Sequence, residues 1–131
     1  MHQRLLAQAE LAYCNQLLDK NILHKLEKLG DKLPSLLVNE PPALIHGDLW
    51  SGNFISGNNG EVCLIDPAVY YANREIEIAF TMLFGGFDNR FYESYFEAFP
   101  VEKGFAERAA IYNLYPLLVH VNLFGGSSKK F

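Results

Sequence analysis

Three oxygen-bearing side chains stand out in the middle of this sequence. Asp48 and Asn53 lie five residues apart in a polar loop, and Asp66 follows thirteen residues later, directly after an apolar run. Between them, Gly57-Asn58-Asn59-Gly60 favours a tight β-hairpin, because glycine and asparagine tolerate positive φ angles. Such a hairpin would return Asp66 to the neighbourhood of Asp48 and Asn53. The sequence therefore predicts one cleft that contains a candidate base and two hard-oxygen metal ligands.

This set of side chains suits phosphoryl transfer from ATP. The reaction needs a carboxylate that orients the attacking hydroxyl, and kinases hold Mg²⁺ with an Asp and an Asn from two loops. Because Mg²⁺ usually keeps several waters, two protein ligands suffice. We expect Asp48 to be the base and Asn53 and Asp66 to bind Mg²⁺. The simpler alternatives are a turn former at Asp48, an Asx turn at Asn53 and a strand end at Asp66.

The segment before the cleft is expected to be helical. Apolar side chains recur at helical spacing from about Arg4 to Gly30, with a polar patch at Asp19-Lys20-Asn21 that indicates a kink or a break. Gly30 is expected to cap the helix, since Pro34 opposes its continuation.

Helical periodicity returns after the cleft. One stripe begins at Arg74, and Asp88 is expected to cap a helix over 89–99. A last helix is expected over roughly 101–124, with a kink or break at Pro116 and an end at 125–128. The fold class is therefore α+β and mostly α-helical, with a small β-hairpin that carries the catalytic and metal residues.

Several motifs resemble known families. The loop from His46 to Asn53 (His-Gly-Asp-Leu-Trp-Ser-Gly-Asn) resembles the catalytic loop of the aminoglycoside phosphotransferase and choline kinase-like group. More narrowly, the chain is similar to the fructosamine kinase (ketosamine-3-kinase) family from about Leu33 to Ser127. That similarity rests on Ile65-Asp66-Pro67-Ala68-Val69-Tyr70-Tyr71, Arg74-Glu75, Leu83-Phe84-Gly85-Gly86-Phe87 and Leu123-Phe124-Gly125-Gly126-Ser127. One departure is Ala72-Asn73, where the family more usually has Gly-His.

The resemblance implies an ATP- and Mg²⁺-dependent phosphotransferase. Its substrate would be the 3-hydroxyl of a ketosamine, either a small molecule or a protein-bound sugar adduct, which after phosphorylation sheds the sugar in a deglycation repair. The implied fold is the C-terminal lobe of the protein-kinase-like fold over residues 1–131. The glycine-rich turn and the Lys–Glu pair of a nucleotide-binding lobe do not occur in this sequence. We therefore expect this chain to carry the base and metal ligands without clamping ATP productively by itself.

Six further residues are expected to contact substrate or support the loop. The ring of His46 is expected to order the catalytic loop, and Trp50 and Ser51 are candidates for substrate contacts. Tyr70, Tyr71 and Arg74 are assigned to the substrate side or to loop support. For Arg74 the alternative is an ion pair with a carboxylate that positions the loop.

Composition excludes several classes of function. Half of the 131 residues are hydrophobic, which argues against disorder. The net charge of −4, with no basic cluster larger than Lys129-Lys130, argues against nucleic acid as the partner. Apolar runs are too short to cross a membrane, so we expect a cytoplasmic protein without a membrane partner. Cys14 and Cys63 are expected to be reduced core thiols.

Two alternatives remain beside the ketosamine kinase. One is another small-molecule kinase of the same group, acting on an aminoglycoside, choline or a related alcohol. The other is a non-catalytic lobe that regulates a partner or forms a homo-oligomer. Apolar surface left open by the missing nucleotide-binding lobe would drive that association.

Overall fold

The computed structural model describes residues 1–125 and has an α+β fold that is mostly helical, as predicted. The elements in chain order are α1 (His2–Cys14), α2 (Lys20–Leu36), β1 (Ala43–Ile45), β2 (Phe54–Ser56), β3 (Val62–Leu64), β4 (Tyr70–Ala72), α3 (Arg74–Thr81), α4 (Asn89–Ala98) and α5 (Phe105–Phe124). The chain divides into two compact units, one of Met1–Val38 with Leu114–Phe131 and one of Asn39–Asn113. No helix in the described part of the chain is long and apolar enough to cross a membrane.

Helices α1 and α2 pack against each other in the first unit. Helix α1 buries Leu5, Ala9 and Ala12 completely. On α2 the buried Gly30 faces the His2 ring, whose Cδ2 lies 2.6 Å from the position that a Cβ on Gly30 would take. A larger residue at position 30 would therefore require the exposed His2 ring to move away from α2.

The prediction that the helix ends at Gly30 is wrong. The chain does break at the polar patch, where Asp19 caps α2 by accepting a hydrogen bond of 2.8 Å from the Ile22 amide. From there α2 continues through Gly30 and Pro34 to Leu36. Burial of Leu33 stabilises the added turn, and this offsets the one backbone hydrogen bond that proline cannot donate.

Proline also fails to break the last helix. Helix α5 begins at Phe105, four residues later than predicted, and runs without interruption through Pro116 to Phe124. The helix ends directly before Gly125, the first residue of the predicted end at 125–128, and the other three residues of that segment lie outside the described residues.

The predicted hairpin is confirmed. Strands β2 and β3 pair antiparallel with Phe54 opposite Leu64 and Ser56 opposite Val62. The connecting turn places Gly60 at φ +78°, in the left-handed region that favours glycine. A second antiparallel pair, β1 with β4, was not predicted.

Both cysteines are free, but their assignment to the core is wrong. Cys14 and Cys63 are exposed. Cys14 is the last residue of α1, and Cys63 lies in a two-stranded hairpin whose strand β3 is exposed along its whole length.

Helix α3 begins at the Asn73 cap and carries a buried ion pair. The fully buried Glu75 accepts hydrogen bonds of 2.8 and 2.7 Å from Nε and Nη2 of Arg108. The hydroxyl of Tyr112 donates a third bond, of 3.1 Å, to the same carboxylate. The bonds to Glu75 raise the pKa of Arg108, while burial and then the Glu75 charge raise the pKa of Tyr112. Glu75 therefore fixes α3 to the first turns of α5.

We predict that Arg108→Met destabilises the fold by about 3–5 kcal/mol, because it leaves the Glu75 carboxylate buried without a cation. The matched control is Arg90→Met, which breaks an ion pair with Asp88 whose side chains are 90% and 73% exposed. That control should cost less than about 1 kcal/mol. Urea unfolding followed by circular dichroism measures the free energy of unfolding of both variants. Equal losses would contradict the conclusion that Arg108 compensates the buried charge of Glu75.

Candidate active site

The loop between β1 and β2 leaves the sheet through a sharp turn at Gly47. Gly47 has φ +85°, and a Cβ at this position would collide with the backbone carbonyl oxygen of Ala68. The Ala68 amide in turn donates a hydrogen bond of 2.8 Å to the carbonyl of His46. Glycine is therefore needed for both the backbone conformation and the close approach of the segment after Asp66.

Asn53 binds Asp48 directly. Its Nδ2 donates hydrogen bonds to the backbone carbonyl of Asp48, at 2.8 Å, and to Oδ2 of its carboxylate, at 3.0 Å. Asn53 is buried at the end of a short 3-10 helix, Ser51–Asn53, and its amide N–H donates to the carbonyl of Trp50. The turn between them therefore fixes the spacing and orientation of the two side chains.

The backbone beside Asp66 is tied to Asn53. The Ile65 amide donates a hydrogen bond of 3.0 Å to the carbonyl of Asn53. Asp66 itself is exposed and has φ +51°, a left-handed conformation that is uncommon for residues other than glycine. Sparsely populated backbone conformations of this kind cluster at ligand-binding sites.

The ring of His46 links the two loops. Its Nδ1 accepts a hydrogen bond of 3.3 Å from the Asp48 amide, and its Nε2 lies 3.0 Å from the carbonyl oxygen of Ile65. Since an amide only donates and a carbonyl only accepts, these partners fix the neutral tautomer that carries its proton on Nε2. One side chain thus positions the residue before Asp66 and the backbone of Asp48.

Glu77 also holds this loop, and the sequence analysis missed it. Its Oε2 accepts from the His46 amide at 3.1 Å and its Oε1 from the Gly47 amide at 2.8 Å. The sequence carries one signal, because Glu77 lies between Ile76 and Ile78 on a helix where a charge without partners would be costly.

Arg74 lies apart from this hydrogen-bond network. Its guanidinium pairs with Glu40, in the connector before β1, through contacts of 3.1 and 3.3 Å, and lies 3.7 Å from the centre of the Phe99 ring. Burial by itself would lower the pKa of Arg74. The hydrogen bonds to Tyr95 and Glu40 together raise this pKa by more, so it lies above the ordinary value. Arg74 thus ties the connector to the end of α4.

The remaining predicted site residues differ in their surroundings. Tyr70 is half-buried in β4 beside Gly47, whereas the next residue, Tyr71, is 72% exposed. Trp50 and Ser51 are exposed at the start of the 3-10 turn, and the Trp50 ring covers Gly52. The structure therefore places Tyr70 beside the loop of which Trp50 and Ser51 are part.

Asn53 and Asp66 carry amide and carboxylate oxygens, the ligand types that magnesium prefers. Within residues 1–125, no three His, Cys, Asp or Glu side chains form a group that could hold a metal ion. Because Nδ2 of Asn53 is committed to Asp48, its Oδ1 is the atom that a cation would use. A magnesium ion held by this oxygen and the Asp66 carboxylate would take its other ligands from water and phosphate.

We predict that Gly47→Ala destabilises the protein more than Gly60→Ala. Both glycines have positive φ angles, but a Cβ on Gly60 would meet nothing within 4 Å. Gly60→Ala should cost about 1–2 kcal/mol from backbone strain alone. Gly47→Ala should cost about 1–3 kcal/mol more, because its Cβ must displace the backbone at Ala68. Urea unfolding measures both variants, and similar losses would show that the close approach at Ala68 is unimportant.

Comparisons with known proteins identify the family of this chain. The fructosamine kinase family model matches residues 1–130. A probable ketoamine kinase from Synechocystis is 49% identical over 98 residues, which cover 75% of this chain and 31% of that protein. A chloroplastic protein-ribulosamine 3-kinase from rice is 50% identical over 84 residues, covering 64% of this chain and 24% of that protein.

A crystal structure from Thermobifida fusca, assigned as a fructosamine-3-kinase, superposes with a TM-score of 0.84 at 38% identity. The match covers 93% of this chain and 43% of that one. The chain thus spans less than half the length of this structure and about a third of the Synechocystis relative. Because the family model matches this chain along nearly the whole length of the chain, the chain belongs to the fructosamine kinase family.

Proposed function

We propose that residues 1–131 are the C-terminal lobe of a protein-kinase-like fold and carry the catalytic and metal residues of a ketosamine 3-kinase. Two observations carry this proposal. Asn53 is hydrogen-bonded to Asp48, and Ile65, the residue before Asp66, is hydrogen-bonded to both Asn53 and His46. These bonds join the proposed base to one proposed metal ligand and to the backbone beside the other, and phosphoryl transfer requires these three groups. Family membership and the ketoamine kinase relatives support the choice of reaction.

Asp48 is the proposed base. The Asn53 amide donates to its Oδ2, which leaves Oδ1 to accept the proton of the attacking hydroxyl. Because the backbone of Asp48 is also bonded to the Asn53 amide and the His46 ring, the carboxylate is oriented before substrate arrives. Such a positioned base contributes about 10²–10⁴-fold to the rate.

Asn53 and Asp66 are the proposed metal ligands. Bound Mg²⁺ would neutralise the phosphates of ATP and the charge that develops during transfer. The protein contributes the Oδ1 of Asn53 and the carboxylate of Asp66, and His46 fixes the backbone from which Asp66 projects. The Asn53 amide therefore serves both the base and the metal.

The proposed substrate is the 3-hydroxyl of a ketosamine, and the donor is ATP. A relative named protein-ribulosamine 3-kinase supports an adduct carried on a protein. Trp50 and Ser51 are exposed next to Asp48, and we assign them to the substrate side. Since the chain matches about a third of its relatives, we propose that productive ATP binding also needs a nucleotide-binding lobe.

One observation favours a second candidate, a non-catalytic lobe that associates with itself or a partner. The hairpin exposes three apolar side chains by more than half, namely Ile55, Val62 and Leu64. Sedimentation of this chain at increasing concentration, together with calorimetry of Mg²⁺-ATP binding to a longer polypeptide that adds a nucleotide-binding lobe before Met1, separates the candidates. Association without nucleotide binding would favour the non-catalytic lobe.

We predict that Asp48→Asn lowers the phosphorylation rate of a soluble fructosamine by about 10²–10⁴-fold, because the amide cannot accept the hydroxyl proton. The assay uses this chain and a longer polypeptide with a nucleotide-binding lobe before Met1, and we expect turnover from the longer one. Asp31→Asn, on the exposed side of α2, is the matched control and should retain full activity. Full activity of Asp48→Asn would refute the base assignment.

We predict that Asp66→Asn raises the Mg²⁺ concentration needed for half-maximal rate by at least about tenfold, since one anionic ligand is lost. Titration of the rate with Mg²⁺ at saturating ATP measures the change, again with Asp31→Asn as the control. An unchanged Mg²⁺ requirement would remove Asp66 from the metal site.

A further inference from the structure

The loop between α3 and α4 turns sharply twice. Residues 82–88 join the two helices and end on the Asp88 cap of α4. Gly85 has φ +87° and Gly86 has φ +68°, so two successive residues adopt the left-handed conformation that favours glycine. A Cβ on Gly86 would lie 3.1 Å from the hydroxyl oxygen of Tyr92. The loop therefore closes directly over that hydroxyl.

The hydroxyl of Tyr92 holds the end of this loop. The Phe87 amide donates a hydrogen bond of 3.1 Å to it, and Oγ1 of the buried Thr81 lies 3.2 Å away. Thr81 has one hydroxyl proton, and the Ile78 carbonyl oxygen at 2.6 Å can only accept it. The Tyr92 hydroxyl must therefore donate to Thr81 and accept from Phe87. Both hydrogen bonds serve to fix residue 87 against the end of α3.

Phe87 links this loop to the candidate active site. The centre of its ring lies 5.6 Å from that of Phe54, and 4.6 Å from that of Phe91 on α4. Aromatic rings with centres about 4.5–7 Å apart attract each other when they are tilted or offset. Phe54 is the first residue of β2 and directly follows Asn53. The packing of Phe87 on Phe54 therefore restrains the backbone of Asn53.

The position of the Asn53 backbone matters for both proposed metal ligands. The Asn53 amide group is bonded to Asp48 through Nδ2, so the place of its Oδ1 depends on where the backbone lies. The Asn53 carbonyl also accepts the Ile65 amide, so a shift of this backbone reaches the residue before Asp66. Because Mg²⁺ demands near-ideal octahedral geometry, a small displacement of a ligand lowers its affinity.

We propose that Phe87 and Tyr92 are positioning residues for the metal site, which hold Asn53 where its Oδ1 reaches Mg²⁺. This inference rests on the proposed function, because the proposed function assigns Asn53 as a metal ligand. Neither side chain is itself a ligand, since Phe87 acts through Phe54 and Tyr92 acts through the Phe87 amide. Loss of either contact should therefore weaken metal binding.

The two variants differ in how directly they act on Asn53. Phe87→Leu keeps an apolar side chain but removes the ring that packs on Phe54. Changes to the groups that orient metal ligands typically cost about 10–100-fold in metal affinity, and we expect a loss of about tenfold here. Tyr92→Phe removes only the hydroxyl and acts one contact further away, so we expect a loss of roughly threefold.

The chain offers a matched control for each variant. At the other end of α4, the rings of Phe96 and Phe105 have centres 5.7 Å apart. Phe105→Leu removes a ring contact of the same kind, so it should lower the free energy of unfolding much as Phe87→Leu does while leaving metal affinity unchanged. Tyr13→Phe, at an exposed tyrosine of α1, is the control for loss of a hydroxyl.

The experiment measures metal affinity without turnover. The longer polypeptide is titrated with Mn²⁺ in the presence of a non-hydrolysable ATP analogue, and electron paramagnetic resonance reports the free ion. Urea unfolding gives the stability of each variant, and NMR on this chain gives hydrogen exchange at the Phe87 amide. We expect Mn²⁺ affinity to fall in the order wild type, Tyr92→Phe, Phe87→Leu, with faster exchange at the Phe87 amide in Tyr92→Phe.

The outcomes separate this inference from the proposed function, which is assayed on the same polypeptide with a fructosamine and ATP. Unchanged Mn²⁺ affinity in Phe87→Leu, or an equal loss in Phe105→Leu, would overturn the positioning role of Phe87. Unchanged Phe87 exchange in Tyr92→Phe would overturn the role of Tyr92. If the wild type phosphorylates no fructosamine, the proposed function fails while the Mn²⁺ affinities still decide the positioning role. A wild type that binds no Mn²⁺ with the analogue would overturn both.

Discussion

The hydrogen bonds from the His46 and Gly47 amides to the carboxylate of Glu77 are the constraint on which the site depends. They join a polar loop, whose backbone has few regular partners, to a helix that is buried along one side. From this anchor the geometry follows step by step. The His46 ring binds the amide of Asp48 and the carbonyl of Ile65, and Asn53 then closes on Asp48.

Helix α3 supports the second unit through three charged side chains among its first four residues. Arg74 binds the connector before β1 through Glu40, Glu75 binds Arg108 of α5, and Glu77 binds the loop. Buried charges are stable only when they are paired and hydrogen-bonded, so each of these contacts also specifies a relative position. The elements that carry the proposed base are therefore positioned by polar contacts, whereas the first unit is held by apolar packing of α1 on α2.

Sequence reasoning succeeded where local chemistry decides structure. The Gly and Asn residues at 57–60 specified the hairpin, and Asp88 caps α4 as predicted. It failed where tertiary contacts override local preference: burial of Leu33 carries α2 through Pro34, and the pairing of β1 with β4 joins two three-residue strands that have no periodicity to detect. The role of Glu77 in holding the loop was not predicted, because helical periodicity identifies only apolar faces. The partners of Glu77 are backbone amides about thirty residues away in the chain.

The central claim is that Asn53 and Asp66 form one metal site beside Asp48. The most direct test is a crystal structure of the longer polypeptide, which includes a nucleotide-binding lobe, with Mn²⁺ and ATP, because the anomalous signal of manganese locates the ion independently of the refined coordinates. We expect one ion at about 2.0–2.2 Å from Oδ1 of Asn53 and from a carboxylate oxygen of Asp66, close to the Mg²⁺ geometry. An ion ligated elsewhere, or no ion at this pair of oxygens, would contradict the account.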